Sequence, residues 1–180
     1  MIQLNFDGAS KGNPGKAGYG GAFRDHKGKP LLIFLGSIGW DTNNSVELEG
    51  LWKGLILAQQ HNFFPLVIEG DSQILINMVN QILQGTLAYK VVSSWRLAAR
   101  LDLIEQWLTT NWVVTFKHIR RKGNKLVDFL ANLGVDSDRT LHTGLLNTLA
   151  IASQIKEFHE LVHSEETYPD AGDNEAINEE

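Results

Sequence analysis

The chain has 180 residues, 43% of them hydrophobic, and no cysteine, which suits one globular domain and excludes disulfides and thiolate metal centres. Its formal charge of −5 is unevenly spread: seven acids and no Lys or Arg fall in 164–180, leaving 14 acids against 16 bases in 1–163. The body is mildly basic, which permits a polyanionic partner, and no apolar run suits a membrane span or a signal peptide. An intracellular protein, cytoplasmic or nuclear and without a membrane partner, is expected.

Ile2, Leu4 and Phe6 alternate with Gln3, Asn5 and Asp7, the pattern of a half-buried strand that ends at an acid. A run rich in Gly, Asn and Pro follows (Gly8 to Gly15), and exposed backbone N–H groups beside Asp7 would make a phosphate cradle next to a metal ligand. Gly18 to Asp25 and Pro30 to Ile38 read as two strands joined by a turn at Asp25-His26-Lys27-Gly28. Asp41 to Ser45 is a cap-like cluster, and Val46 to Asn62 reads as a helix with Leu48, Leu51, Leu55 and Ala58 on one stripe. Pro65 to Gly70 is a short apolar strand, and Ser72 to Leu83 a second helix. Lys90 to Thr110 has helical spacing at Trp95, Leu101, Ile104 and Leu108, with Trp95, Trp107 and Trp112 expected in the core. Trp112 to Ile119 alternates as a strand, and Asn124 to Leu133 is a helix behind a basic turn. The order predicts an α/β fold: a five-stranded mixed sheet, three antiparallel strands followed by alternating helices and strands, with helices on both faces. The catalytic domain is expected over 1–135. An amphipathic helix from Leu141 to Val162 fills an extension over 136–163, and an acidic disordered tail follows over 164–180. The extension or the tail would be the place for a protein partner, and a monomer is expected.

Four acids from distant segments fall at strand ends or helix starts: Asp7, Glu47, Asp71 and Asp128. Each alone has an ordinary structural role as a turn, a helix-dipole acid, a cap or a surface charge. Together at one sheet edge they would repel unless a cation neutralised them. Oxygen-only ligands suit Mg²⁺ or Mn²⁺, and two such ions about 3.5–4 Å apart stabilise both oxygens of a phosphodiester displacement. His159 and His163 have no third ligand in the pattern and read as surface residues.

Asp7-Gly8-Ala9-Ser10 with Gly12-Asn13-Pro14-Gly15, Thr42-Asn43-Asn44-Ser45-Val46-Glu47-Leu48, Glu69-Gly70-Asp71-Ser72-Gln73, and His118 with Asn124 to Ala131 form four ordered blocks. They resemble the type 1 ribonuclease H family, over about residues 1–135, and the wording from His118 to Lys125 resembles its plant and retroelement branch. The resemblance implies Asp7, Glu47, Asp71 and Asp128 as ligands of two Mg²⁺ ions, with His118 assisting proton transfer or product release. It implies an RNA–DNA hybrid as substrate, the RNA strand alone being cut to 5′-phosphate and 3′-hydroxyl ends. Gly12, Asn13, Asn43 and Gln73 match contacts to 2′-hydroxyls and base edges, Asn44 a groove contact to the DNA strand, and Thr42 the grip on a DNA phosphate. Asn and Gln carry both donors and acceptors, which suits a hydroxyl.

Lys11, Lys16, Arg120, Arg121, Lys122 and Lys125 are further candidates for phosphate contact, and Glu49 is expected to be solvated. The chain departs from members with a Lys-rich protruding loop, since Gln84 to Asn111 holds only Lys90, Arg96 and Arg100. Weaker substrate affinity would follow. Two rival readings stand beside the nuclease: a non-catalytic hybrid- or RNA-binding module, and a nuclease fragment of a retroelement reverse transcriptase. The complete acid set argues against the first, and the Met1 start directly before the first strand favours a free-standing chain over the second.

Overall fold

A computed structural model describes residues 1–86, 94–110, 113–137 and 141–144. The alternation that begins at Ile2 does not stop at Asp7. Strand β1 runs Ile2–Lys11 and pairs antiparallel with β2 (Gly15–Arg24), with Asp7 opposite Gly20 and Lys11 opposite Lys16. The Gly-Asn-Pro run is therefore the tip of a hairpin, where Gly12 (φ 127°) and Asn13 (φ 36°) take the left-handed backbone that these residues tolerate best. At about 3.3 Å per residue the tip lies roughly 15 Å beyond Asp7. This corrects the expectation of a phosphate cradle directly beside that acid.

Strand β3 (Pro30–Asp41) completes the antiparallel half. The β2–β3 turn is where the sequence predicts it, and Asp25 Oδ1 accepts from the N–H groups of Lys27 (2.8 Å) and Lys29 (3.0 Å). Helix α1 (Asn43–His61) starts three residues earlier than expected because Thr42 is its cap, the Oγ1 accepting from Ser45 N–H at 3.4 Å. Then follow β4 (Leu66–Gly70), α2 (Gln73–Leu83), α3 (Trp95–Leu108) and β5 (Val114–His118). A 3-10 turn (Arg121–Asn124) leads into α4 (Lys125–Asp136), and a short strand, β6 (Leu141–Gly144), comes last.

The sheet order is β5-β4-β1-β2-β3-β6, with β4 parallel to both β1 and β5 and the other pairs antiparallel. The five expected strands are present, and β6 adds a sixth on the free edge of β3. A helix beginning at Leu141 is thereby corrected: Leu141 pairs with Leu35 as strand. The remainder of that expected helix, with His159 and His163, and the acidic tail lie outside the described residues.

Alternation along the strands gives each face its own core. Leu4, Phe6, Phe23 and Phe34 pack with Leu48, Leu51, Leu55 and Leu101, from α1 and α3. On the other face Ala22, Ile33 and Leu35 meet Leu126, Val127 and Leu130 of α4. Each fully buried Leu or Phe contributes about 1.5–3 kcal/mol relative to exposure, so these two layers fix α1 and α4 across the strand that carries Asp7. Helix α3 buries Leu97, Leu101, Ile104 and Trp107. Trp107 meets the expectation, its Nε1–H donating to Gln59 Oε1 at 3.1 Å. Trp95 does not: it is 76% exposed. Trp112 and Lys90 lie outside the described residues.

Candidate active site

The parallel pairing of β1 with β4 sets Asn5 beside Glu69, and two further residues along each strand bring Asp7 level with Asp71. Gly8 lets α1 close on that point. A Cβ at Gly8 would meet the backbone of Val46 and Glu47, so only a residue without one allows Glu47 to stand against the Asp7 strand. From the opposite face, the buried Asn124 donates from Nδ2 to the Phe6 carbonyl at 3.1 Å and ties the start of α4 to the residue before Asp7. Asp128 follows in the first turn of that helix. Asp7, Glu47, Asp71 and Asp128 thus line one open cleft of about 380 Å³, with Asn43 and Arg121 at its walls.

Burial and like charge act together on this group. Desolvation first, and then the Asp71 carboxylate, push the Asp7 carboxyl up to about 8, against the Gly8 N–H at 2.7 Å that favours its charged form. Desolvation and Asp71 likewise raise Glu47 to about 7, opposed by the Ser72 side chain and by Arg121. Glu47 Oε2 is buried with no hydrogen-bond partner. An orphaned carboxylate oxygen aligned with three other acids fits a hard divalent cation, which would supply the missing charge and ligand field. Among the described residues, no three Asp, Glu or His side chains are yet gathered to hold an ion as they stand.

The rim is a fixed amide network. Asn43 accepts on Oδ1 from Ser10 N–H (3.0 Å), and its own N–H donates to Asn13 Oδ1 (3.0 Å). With both carbonyl oxygens engaged, the two side-chain NH₂ groups remain as donors. Ser10 Oγ–H donates to the Asp41 carbonyl at 2.7 Å and locks the hairpin to the end of β3, just before α1. Gln73 opens α2 and is turned along the helix, Nε2 donating to Asn77 at 2.9 Å. Asn44 is exposed in the first turn of α1.

The chain matches the reverse transcriptase-like family over residues 5–134. The chain belongs to the reverse transcriptase-like ribonuclease H family. An Arabidopsis thaliana protein named for ribonuclease H is 31% identical over 156 residues, 87% of this chain, which spans about a quarter (24%) of that relative's length. Ribonuclease H of Pseudomonas syringae is 35% identical over 150 residues, covering 79% of this chain and 97% of the relative. Among solved structures, LC11 ribonuclease H1 in complex with an RNA/DNA hybrid superposes with a TM-score of 0.63 at 28% identity, over 76% of this chain and 97% of the other.

Within this ribonuclease H fold, His118 ends β5 opposite Gly70 and shares a 3.1 Å hydrogen bond between its Nε2 and the Asp71 carbonyl oxygen. The imidazole stands beside the acid cluster and is exposed, held by backbone. The basic candidates divide. Lys11 and Lys16 pair with Asp136 at 2.9 and 3.9 Å and do not line the cleft of the four acids. Arg121 faces the acids, its Nη2 3.4 Å from Asp128 Oδ1. Glu49, expected to be solvated, is part-buried and holds Arg100 Nε–H at 2.8 Å, while Arg100 also donates to Ser45 Oγ at 2.8 Å. This pairing clamps α3 to the first two turns of α1. Sequence spacing carried no sign of it, because Glu49 and Arg100 lie 51 residues apart. No helix among the described residues is long and apolar enough to cross a membrane.

Proposed function

We propose that the chain is a divalent-metal-dependent endoribonuclease that hydrolyses the RNA strand of RNA–DNA hybrids. The observation that carries this reading is the convergence of Asp7, Glu47, Asp71 and Asp128 on one cleft, two of them desolvated and raised toward neutral pH. Kinship with proteins named ribonuclease H, one of them solved on an RNA/DNA hybrid, supports the same substrate. The four carboxylates would hold two Mg²⁺ ions, with Mn²⁺ as a substitute. Bound there, the ions supply an activated water and stabilise the attacking and leaving oxygens of the displacement.

The chain's own groups account for the rest. Asp7 and Glu47 would give up the protons they retain near neutral pH on loading, because a cation would offset the burial and like charge that raise their pKa values. The free NH₂ groups of Asn13 and Asn43 point donors at the lone pairs of a 2′-hydroxyl, a group RNA carries and DNA lacks. Gly12 lets the backbone at the hairpin tip approach the minor groove. Thr42 and Asn44, at the start of α1, are assigned to the DNA strand, and Gln73 to a base edge. His118, beside Asp71, is assigned to proton transfer or product release.

The test is a cleavage assay in Mg²⁺ on matched labelled hybrid, double-stranded RNA and double-stranded DNA. Cutting of the RNA strand of the hybrid alone is expected, with at least a hundredfold loss in Asp71→Asn at unchanged far-ultraviolet circular dichroism. Undiminished cutting by Asp71→Asn, or binding of all three duplexes with no cutting, would overturn the reading.

A further inference from the structure

Arg121 lines the same cleft as the four acids, and its guanidinium is 3.4 Å from Asp128. Its charge also reaches Glu47, where it favours the ionised carboxylate, and the charges of Asp128, Asp7 and Asp71 in turn favour the protonated guanidinium. The Arg121 side chain is 80% exposed and that of Asp128 is 38%, so solvent screens the pair and packing does not enforce it. A guanidinium keeps its proton at any working pH, so the contact ends only when the side chain swings away. Resting on the nuclease reading, we propose that Arg121 is a mobile counter-ion that occupies Asp128 in competition with the divalent metal and, once displaced, engages a substrate phosphate.

The chemistry of the two partners favours this exchange. A carboxylate oxygen held by Arg121 is unavailable as a metal ligand, and a cation entering beside Asp128 repels the guanidinium. The released fork has donors set for two phosphate oxygens, which a hybrid brings to the cleft. Phosphate and metal then assist one another, since whatever draws Arg121 off Asp128 frees a ligand for the ion. By linkage, metal tightens hybrid binding by the same factor that hybrid tightens metal binding. Lys11 and Lys16 do not serve this role, because both are turned to Asp136.

Calorimetric titration of Mg²⁺ alone into wild-type protein, Arg121→Gln, Asp128→Asn and the double variant tests the proposal. Loss of one exposed competing pair should tighten Mg²⁺ binding in Arg121→Gln by about three- to fivefold. The same change made in Asp128→Asn should do nothing. Binding of a labelled hybrid in EDTA, read by anisotropy, should weaken severalfold in Arg121→Gln. Equal or weaker Mg²⁺ affinity in Arg121→Gln, an undiminished effect in Asp128→Asn, or unchanged hybrid binding would each overturn it. Wild-type protein that takes up no Mg²⁺ and cuts no hybrid would sink the nuclease reading together with this one. Wild-type protein that does both, with Arg121→Gln unaltered, would sink the role of Arg121 alone.

Discussion

The cleft has two unlike halves. Asp7, 5% exposed, and the buried oxygen of Glu47 lie where α1 closes over β1. Asp71 and Asp128 lie toward solvent, each beside an exposed side chain: His118 at the Asp71 carbonyl and Arg121 at the Asp128 carboxylate. The same side-chain chemistry therefore does two things. In the inner half the fold imposes a desolvation cost that bound protons relieve and that a bound cation would relieve in their place, so affinity is stored as unfavourable burial. In the outer half the acids are partly open to solvent and Asp128 is paired with the exposed Arg121, so that pair adjusts to substrate at little cost.

The largest test of this contrast is Asp7→Asn. On the proposed two-metal reading, loss of this carboxylate should lower Mg²⁺-dependent cleavage by about a thousandfold. The metal-free protein should not suffer, because the variant removes a buried charge that the fold disfavours. A higher melting temperature than wild type at pH 8 is expected, measured in EDTA. If that temperature falls by several degrees, Asp7 is held by a favourable interaction and the inner half is not strained.

Gly8→Ala attacks the same half through packing. The new Cβ would run into the backbone of Val46 and Glu47, which cannot yield as a flexible side chain does. A loss of about 1–3 kcal/mol is expected from overpacking, read by chemical denaturation, together with weaker Mg²⁺ binding as Glu47 is pushed from Asp7. Unchanged stability would mean that α1 slides freely and that its distance from β1 is not set at Gly8.

A pH series on the metal-free protein probes the inner half without mutation. Asp7 moves from 3.8 to about 8 and Glu47 from 4.5 to about 7 on folding, so the folded chain holds these protons more tightly than the unfolded one. Their stabilising contribution is complete below about pH 4 and is lost as pH rises through about 7 to 8. Melting temperature in EDTA should therefore fall between pH 5 and pH 8 as these two groups ionise. The rise on adding Mg²⁺ should grow over the same window, because the ion competes with fewer protons. A Mg²⁺ shift that is flat with pH would place the ion away from Asp7 and Glu47.

Much of this arrangement was legible in the residues, and the gaps have physical causes. The order of strands and helices and the grouping of four acids followed from alternation, caps and the spacing of motif blocks. The reach of β1 did not, because Gly8, Ala9 and Ser10 look like a turn. They are small because Gly8 lies under α1 and Ser10 binds β3, which are long-range facts. Trp95 was misplaced by phase: it precedes Leu101 by six residues, roughly 240° around a helix, whereas Leu97 is in register with the buried stripe. Leu141 satisfied a helical pattern equally well, and only pairing with β3 made it strand. Nothing local marks Arg121 out from its basic neighbours either. Its direction is set by the 3-10 turn that precedes α4.

His118→Ala should give the smallest effect and sharpens the outer half. Its ring shares a hydrogen bond with the Asp71 carbonyl, so truncation removes about 1 kcal/mol, or about 2–4 °C in melting temperature for a domain of this size. If the imidazole only steadies the end of β4, cleavage should fall with that loss, with Mg²⁺ affinity changing in parallel. If it leaves the carbonyl to handle protons or release product, kcat should drop by tenfold or more with Mg²⁺ affinity intact, and the pH–rate profile should lose one limb. The contrast between the two halves favours the second outcome. An exposed side chain held by one backbone hydrogen bond is free to move during turnover, as the buried carboxylates are not. A fall in both kcat and metal affinity by the same factor would instead make His118 part of the rigid frame.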